Sequence, residues 1–374
     1  MKKALYMTTA LAAAGVLAFG ATDVIAAEKA KKKKLVKMSI SSGGFFNTRF
    51  GVSSQANSFE STNNATARTH YDAFDIKTDS EVYFKGNTEL DNGVKVDVTI
   101  QLETDAMNGG IIDESYVQFT LPDAGKVKMG ATKGGSPAST GGPSVGAVSP
   151  SPDVSAWIMR PSAIGFHTGT TVGASDAYKI TYKSEDYNGF EFGGSYVPSA
   201  TNSNEMPRVG GNAGSESQIW DAGVKYTKEM GGATVKVDFG YWEQRGTVAS
   251  SYNAWRTGAS WESGGITVGA SFMEWSDANT ANAGNNDTTA WDAGIQYEAG
   301  DAKFSLKVAN QVSPMSITAG DDEATLASLG ASYKIGEGVD FVASVVRADW
   351  DDESTADANN NDGWAVVGGI NVAF

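Results

Sequence analysis

The chain contains no cysteine, only two histidines and only nine prolines among its 374 residues. Without cysteine it forms neither disulfides nor thiolate metal sites. The histidines, His70 and His167, have no Ser or acid at a recognisable spacing, so a nucleophilic triad has no support. No glycine-rich turn follows a strand pattern and opens a helix, which removes the usual nucleotide-binding motif. A net charge of −15 argues against nucleic acid as a partner. After the N-terminal stretch there is no run of about 20 apolar residues, which excludes a membrane-spanning helix. What remains is a non-enzymatic protein with no expected cofactor or metal centre.

The N-terminus carries the marks of an export signal. Lys2 and Lys3 precede a mostly apolar segment from Ala4 to Gly20, and "VIAA", Val24–Ala27, offers small residues for cleavage. The expected division is a cleaved signal at 1–26, a basic segment at 27–37 that includes the run Lys31–Lys34, and a folded unit at 38–374. An exported chain without a spanning helix is either soluble or a β-barrel.

Glycine is abundant, with 44 residues against a usual share of roughly 7%. Through the folded unit the dominant signal is strict alternation, the period of a strand with two unlike faces. In "VKVDVTIQLET", Val94, Val96, Val98, Ile100 and Leu102 share one face, and Lys95, Asp97, Thr99, Gln101 and Glu103 the other. The preceding "EVYFKGNTEL" alternates likewise. Leu90 and Val94 must face the same side, so three residues, Asp91-Asn92-Gly93, form the turn, with Gly93 left-handed and Glu89 opposite Lys95.

Counting such segments gives about 16 strands. Short connections (91–93, 122–125, 262–265, 336–338) alternate with long polar ones (105–113, 133–176, 198–217, 276–288, 311–323, 348–362). The stretch "WDAGVKYT" at Trp220–Thr227 recurs as "WDAGIQYE" at Trp291–Glu298. Its aromatics sit at the ends of the apolar parity, where rings belong at a bilayer interface, while acids and small residues occupy the other parity. The pattern reads as lipid outside and water inside: an all-β, transmembrane antiparallel barrel.

At this point the chain resembles the general diffusion porins of Gram-negative outer membranes, of the alphaproteobacterial type. The resemblance rests on the terminal aromatic Phe374, on "DESYVQFTLPDAGKVKMGATKGG" at Asp113–Gly135, and on "DAYKITYKSEDYNGFEFGGSYVPS" at Asp176–Ser199. It implies a 16-stranded homotrimer in the outer membrane with short periplasmic turns and long extracellular loops. It further implies passive diffusion of ions and small hydrophilic solutes. The third loop, about 133–175, is expected to fold into the lumen and constrict it. The barrel-assembly machinery would read the C-terminal strand through Phe374.

The resemblance also implies a basic wall facing acids on the third loop. Here Arg49, Lys85, Lys95 and Lys128 supply the wall, and the only acid from Gly134 to Ala174 is Asp153, with Arg160 and His167 nearby. Asp97 and Glu103 are further lumen candidates. Most other inward charges, including Asp221, Asp238, Arg256, Asp292 and Lys307, are expected to pair across strands. The long loops hold the acidic excess, densest at 321–323 and 349–353. These acids are either solvated or the means by which divalent cations bridge to lipopolysaccharide, and neither cluster has EF-hand spacing. Two rival functions stay open. A substrate-specific channel would line its lumen with aromatics, but only Phe45, Tyr83, Tyr116 and Trp242 have inward parity. An exported β-rich adhesin would alternate in the same way around a packed core.

Overall fold

The computed structural model describes residues 38–62, 71–104, 112–162, 164, 176–199, 218–245, 251–276, 287–314 and 320–374. Sixteen strands follow one another along the chain. They are β1 (Ser39–Gln55), β2 (Phe74–Glu89), β3 (Lys95–Glu103), β4 (Ile112–Leu121), β5 (Gly125–Ala131), β6 (Tyr178–Lys183), β7 (Phe190–Val197) and β8 (Gln218–Met230). The second half comprises β9 (Ala233–Arg245), β10 (Ser251–Ser263), β11 (Ile266–Ser276), β12 (Thr288–Ala299), β13 (Ala302–Ser313), β14 (Asp322–Gly336), β15 (Val339–Asp351) and β16 (Asn361–Ala373). Each pairs antiparallel with its sequence neighbours, and β1 also pairs with β16, so the sheet closes. Closure leaves no edge, which lets strands cross hydrocarbon with their backbone groups satisfied. At the seam the amide of Gly44 donates to the carbonyl of Phe374 (2.9 Å) and the amide of Phe374 donates back (3.1 Å).

The expected hairpin between β2 and β3 is present. Gly93 has φ 83°, the amide of Leu90 donates to the Val94 carbonyl, and Glu89 stands opposite Lys95. The apolar parity points outward: Phe84, Val98, Phe239, Trp291, Tyr297, Leu329, Tyr333 and Phe341 are all exposed. Rings lie toward both ends of this band, as Trp291 and Tyr297 do on β12. Several strands run further than the alternation indicated. The second begins at Phe74, not near Glu81, and β15 reaches Asp351, four residues into the expected 348–362 connection.

The buried apolar residues lie within the barrel. Val148, Val154, Trp157, Ile158 and Ile164, all from the segment after β5, pack against Ala309, Ala324, Leu326, Val346, Ala348, Trp350, Ala365 and Val367. The latter group occupies the inner parity of β13–β16. The expectation that the inner parity meets water therefore fails for this sector. A second inner group joins Val197, Ile219, Trp242, Ala254 and Met273 on β7–β11 with Ala177.

Candidate functional site

The segment after β5 leaves the wall at Thr132 and crosses the inside of the barrel. The Thr132 hydroxyl donates to Glu114 (2.7 Å), and the Lys179 ammonium donates to the Thr132 carbonyl. Successive strands then hold the backbone. The amide of Ser136 donates to Asp221 (2.9 Å) on β8. The amides of Ser139 and Thr140 donate to Asp238 (2.9 and 2.5 Å) on β9, and that of Gly142 donates to Asp292 (2.5 Å) on β12. Hydroxyls take over further on. Ser305 accepts from the amide of Val145 (2.9 Å) and Ser344 from that of Val148 (3.0 Å), while Ser328 donates to the Val148 carbonyl (2.9 Å). Finally Arg49 donates to the Ala147 carbonyl (3.0 Å), and Gln55 and Asn361 hold the amide and carbonyl of Met159 (3.0 and 2.6 Å).

A backbone can lie this close to a sheet only where side chains leave room, and inward glycines provide it. A β-carbon on Gly223 would stand 2.1 Å from the Ser136 hydroxyl, and one on Gly294 would stand 2.6 Å from the Pro143 carbonyl. On Gly258 it would be 1.9 Å from the Thr140 carbonyl, and on Gly330 1.7 Å from that of Val145. The repeated "WDAG" motif therefore means more than a two-faced strand. Its Trp faces outward. Its Asp, 221 or 292, grips a loop amide. Its Gly, 223 or 294, makes the adjacent space. Asp221, Asp238 and Asp292 are buried beneath the loop.

Cross-strand pairing does occur beneath the loop. Arg256 and Asp238 form a fully buried pair at 3.0 Å, and Arg256 also donates to the Thr140 carbonyl (2.5 Å). Lys307 lies 3.6 Å from Asp292. An unpaired charge in such a place would be strongly destabilising, whereas a carboxylate that also accepts amides is well satisfied. The cluster around Trp157 completes the seal. Its ring covers Gly51, where a β-carbon would stand 2.8 Å away, and the Lys77 ammonium lies 5.2 Å above it.

The opposite wall, β2–β5, keeps its polar parity toward the remaining lumen. Lys85 is exposed and sits over the Tyr83 ring at 4.9 Å, and Lys128 over Tyr116 at 4.2 Å. Register sets Lys85 beside Thr99, Thr99 beside Tyr116, Asp97 beside Gln118, and Gln118 beside Lys128. Lys95 is exposed near the short-turn end. Toward the loop end, carboxylate oxygens of Glu81, Glu103 and Asp113 approach within 4.8 Å of one another. Lysines and acids thus share one wall at different heights.

The sequence candidates separate accordingly. Lys85, Lys95, Lys128, Asp97 and Glu103 belong to the β2–β5 wall. Arg49 does not stand across water from the loop; it is half-buried and hydrogen-bonded to it, so its place in a free basic wall is corrected. Asp153 is exposed, but its carboxylate accepts from the Ser151 hydroxyl (2.8 Å) at the start of a short 3-10 helix, Pro152–Ala156. Arg160 is exposed, and His167 lies outside the described residues. The anchors Asp221, Asp238, Asp292, Ser305, Ser328 and Ser344 were missed as loop ligands, although their inward parity beside glycine could have suggested the role.

Comparisons agree with this architecture. A family model described as Gram-negative porin matches residues 7–353. No curated protein sequence matches the chain. Among solved structures, the anion-selective porin of Comamonas acidovorans aligns at 14% identity with a TM-score of 0.59, over 90% of this chain and 100% of that one. A loop-deletion mutant of OmpT, an outer membrane protein of Vibrio cholerae, aligns at 12% identity and 0.58, over 90% and 99%. A mutant of the Rh. blastica porin aligns at 18% identity and 0.53, over 90% and 100%. The chain belongs to the Gram-negative porin family, and its barrel is a diffusion channel of the outer membrane.

Proposed function

We propose that ions and small hydrophilic solutes pass through the space left between the third loop, described over 133–162, and the β2–β5 wall. One observation carries this reading: the loop is fastened to β8–β16 and β1 by its own backbone, which leaves Lys85 and Lys95 exposed and Lys128 half-exposed on β2–β5. Passage needs no bond-making chemistry, so the protein acts without enzymatic activity. Flux follows the open cross-section and the lining charges. Lys85, Lys95 and Lys128 attract anions, Asp97 and Glu103 attract cations, and Asp153 and Arg160 add charge from the loop side. The paucity of lumen aromatics favours general diffusion over a substrate-specific ladder.

The finer assignments follow the family resemblance. Residues 1–26 are a cleaved export signal, 27–37 a basic periplasmic segment, and the mature barrels assemble as homotrimers among outer-membrane lipid and lipopolysaccharide. Phe374, hydrogen-bonded to Gly44 across the seam, is the residue presented to the assembly machinery. Planar-bilayer recording of the purified, folded protein tests the central claim. Stepwise conductance with a defined reversal potential in a salt gradient is expected. Silence from a folded sample would refute it.

A further inference from the structure

Two acidic runs that are well separated in the sequence meet in the fold. Asp322 opens β14, and Asp352 and Glu353 follow β15 at the start of the last loop. Each offers a carboxylate oxygen, and these atoms lie within 4.8 Å of one another. The group stands above the apolar band. The outward residues at this height are Glu323, Asp349, Asp351 and Asp362, whereas on β14 the exposed hydrophobic residues start at Leu329.

Asp322 is the informative member. It is 3% exposed, and its Oδ1 atom is buried with no hydrogen-bond partner. By contrast Asp238 takes two loop amides and the Arg256 guanidinium, and Asp292 takes one loop amide with the Lys307 ammonium 3.6 Å away. Among the described residues neither Asp322 nor Asp352 pairs with a lysine or arginine, and Arg347 pairs with Asp349 and Asp362 instead. Burial, then the Glu353 carboxyl within hydrogen-bonding reach, then the charges of Asp352, Glu353 and Asp321 raise the Asp322 pKa to about 7. Left alone, the arrangement is electrostatically costly.

The backbone nevertheless holds the three together. Gly320 lets Glu353 approach, since a β-carbon there would stand 2.2 Å from the Glu353 β-carbon. Asp352 is fixed through its amide to Asn360 (2.9 Å) and through its carboxylate to the amide of Ser354 (2.7 Å). Asn360 in turn donates to the carbonyls of Ser354 (2.7 Å) and Ala356 (2.9 Å). Three carboxylates supply up to six oxygens, the ligand chemistry of a hard divalent cation, with water completing the shell.

We propose that Asp322, Asp352 and Glu353 form a calcium-type divalent cation site that clamps the last extracellular loop to the start of β14. The cation takes the place of the missing hydrogen-bond donor at Asp322 Oδ1. It fastens the loop next to Trp350, which sits opposite Ala324 and belongs to the apolar seal of the third loop. The affinity expected is that of extracellular calcium modules, a dissociation constant on the order of 10⁻⁴ M.

The test uses the full mature barrel folded in detergent, with terbium(III) as luminescent probe and calcium as competitor. Saturable terbium emission displaced by calcium is expected, together with a rise in melting temperature on adding calcium. Asp322→Asn, close to isosteric, should weaken terbium binding at least tenfold and abolish the calcium-dependent rise. Asp352→Asn serves as the second variant should Asp322→Asn not fold. Glu103→Gln, in the acidic group of Glu81, Glu103 and Asp113, should leave both signals intact. If calcium has no effect on the unmodified barrel, the carboxyls share a proton instead and the proposal is overturned. It is equally overturned if Asp322→Asn and Asp352→Asn bind terbium as the parent does, or if only Glu103→Gln loses the signal. Channel conductance enters none of these readouts, so their failure leaves the pore assignment standing.

Discussion

The wall of β2–β5 and the wall of β8–β16 are written in the same alternating code, yet their inner faces do opposite things. On β2–β5 the inner parity carries Lys85, Lys95, Asp97 and Lys128 toward open lumen, two of the lysines resting on tyrosine rings. On β8–β16 it carries Asp221, Asp238, Arg256 and Asp292, all buried beneath the third loop, then a patch of aliphatic side chains around Trp350. The difference lies in the partner. Charges facing water keep their hydration and are individually worth little to stability. Charges facing a peptide backbone have lost that hydration and are held by amides, so each one matters. One half of the barrel sets what the pore attracts, and the other half sets where the pore is.

Mutations in the two halves should therefore give different signatures. The largest effect is expected from Asp238→Ala, which strands the Arg256 guanidinium and removes the acceptor for the amides of Ser139 and Thr140. A loss of about 3–5 kcal/mol is anticipated. It should appear as a lower melting temperature and as noisier, larger single-channel conductance. Trp157→Ala removes the ring that seals the loop's far end against Gly51 and the aliphatic patch. It should destabilise by about 3 kcal/mol or more, and chemical labelling of an engineered cysteine at Val154 would report the opening.

Overfilling the seat acts in the reverse direction. Gly330→Val puts a side chain where the Val145 carbonyl now lies, at about 1–3 kcal/mol of strain. The loop should be pushed toward β2–β5 and conductance should fall. An unchanged conductance would mean that the wall, and not the loop, gives way. The smallest energetic effect belongs to the open half. Lys85→Glu with Lys95→Glu should leave the unfolding free energy within about 1 kcal/mol of the parent. The same double variant should move the reversal potential toward cation preference. Should the potential stay fixed while the stability changes, the assignment of the two halves would be reversed.

Much of the fold was legible because alternation is a local signal. The three-residue turn at Asp91-Asn92-Gly93, the facing of Glu89 and Lys95 and the parity of each strand all follow from neighbours in sequence. The third loop stood out by its length and its near absence of acid. Its fastening did not stand out, because Ser136 and Asp221, or Val148 and Ser344, lie 85 and 196 positions apart. A hint was available in "WDAG", where an inward acid is followed two residues later by an inward glycine. Another lay in "WAVV", where both parities are apolar and one of them must be shielded from water, and in "SVVRADW", where Val346, Ala348 and Trp350 make the parity opposite the outward Val345 apolar as well. Arg49 illustrates the limit: parity alone sends it inward but does not say whether it meets solvent or the Ala147 carbonyl.

The fastening of the third loop engages main-chain atoms almost throughout, namely the amides of residues 136, 139, 140, 142, 145 and 148 and the carbonyls of residues 140, 147 and 148. Every amino acid except proline supplies such an N–H, and every one supplies a carbonyl. Between residues 136 and 145 the loop's side chains are thus largely released from the task of holding it in place, a task that side chains resume only at the apolar seal around Trp157. Permeability becomes a property that substitution can retune residue by residue on the loop's free face, with the scaffold beneath unaltered.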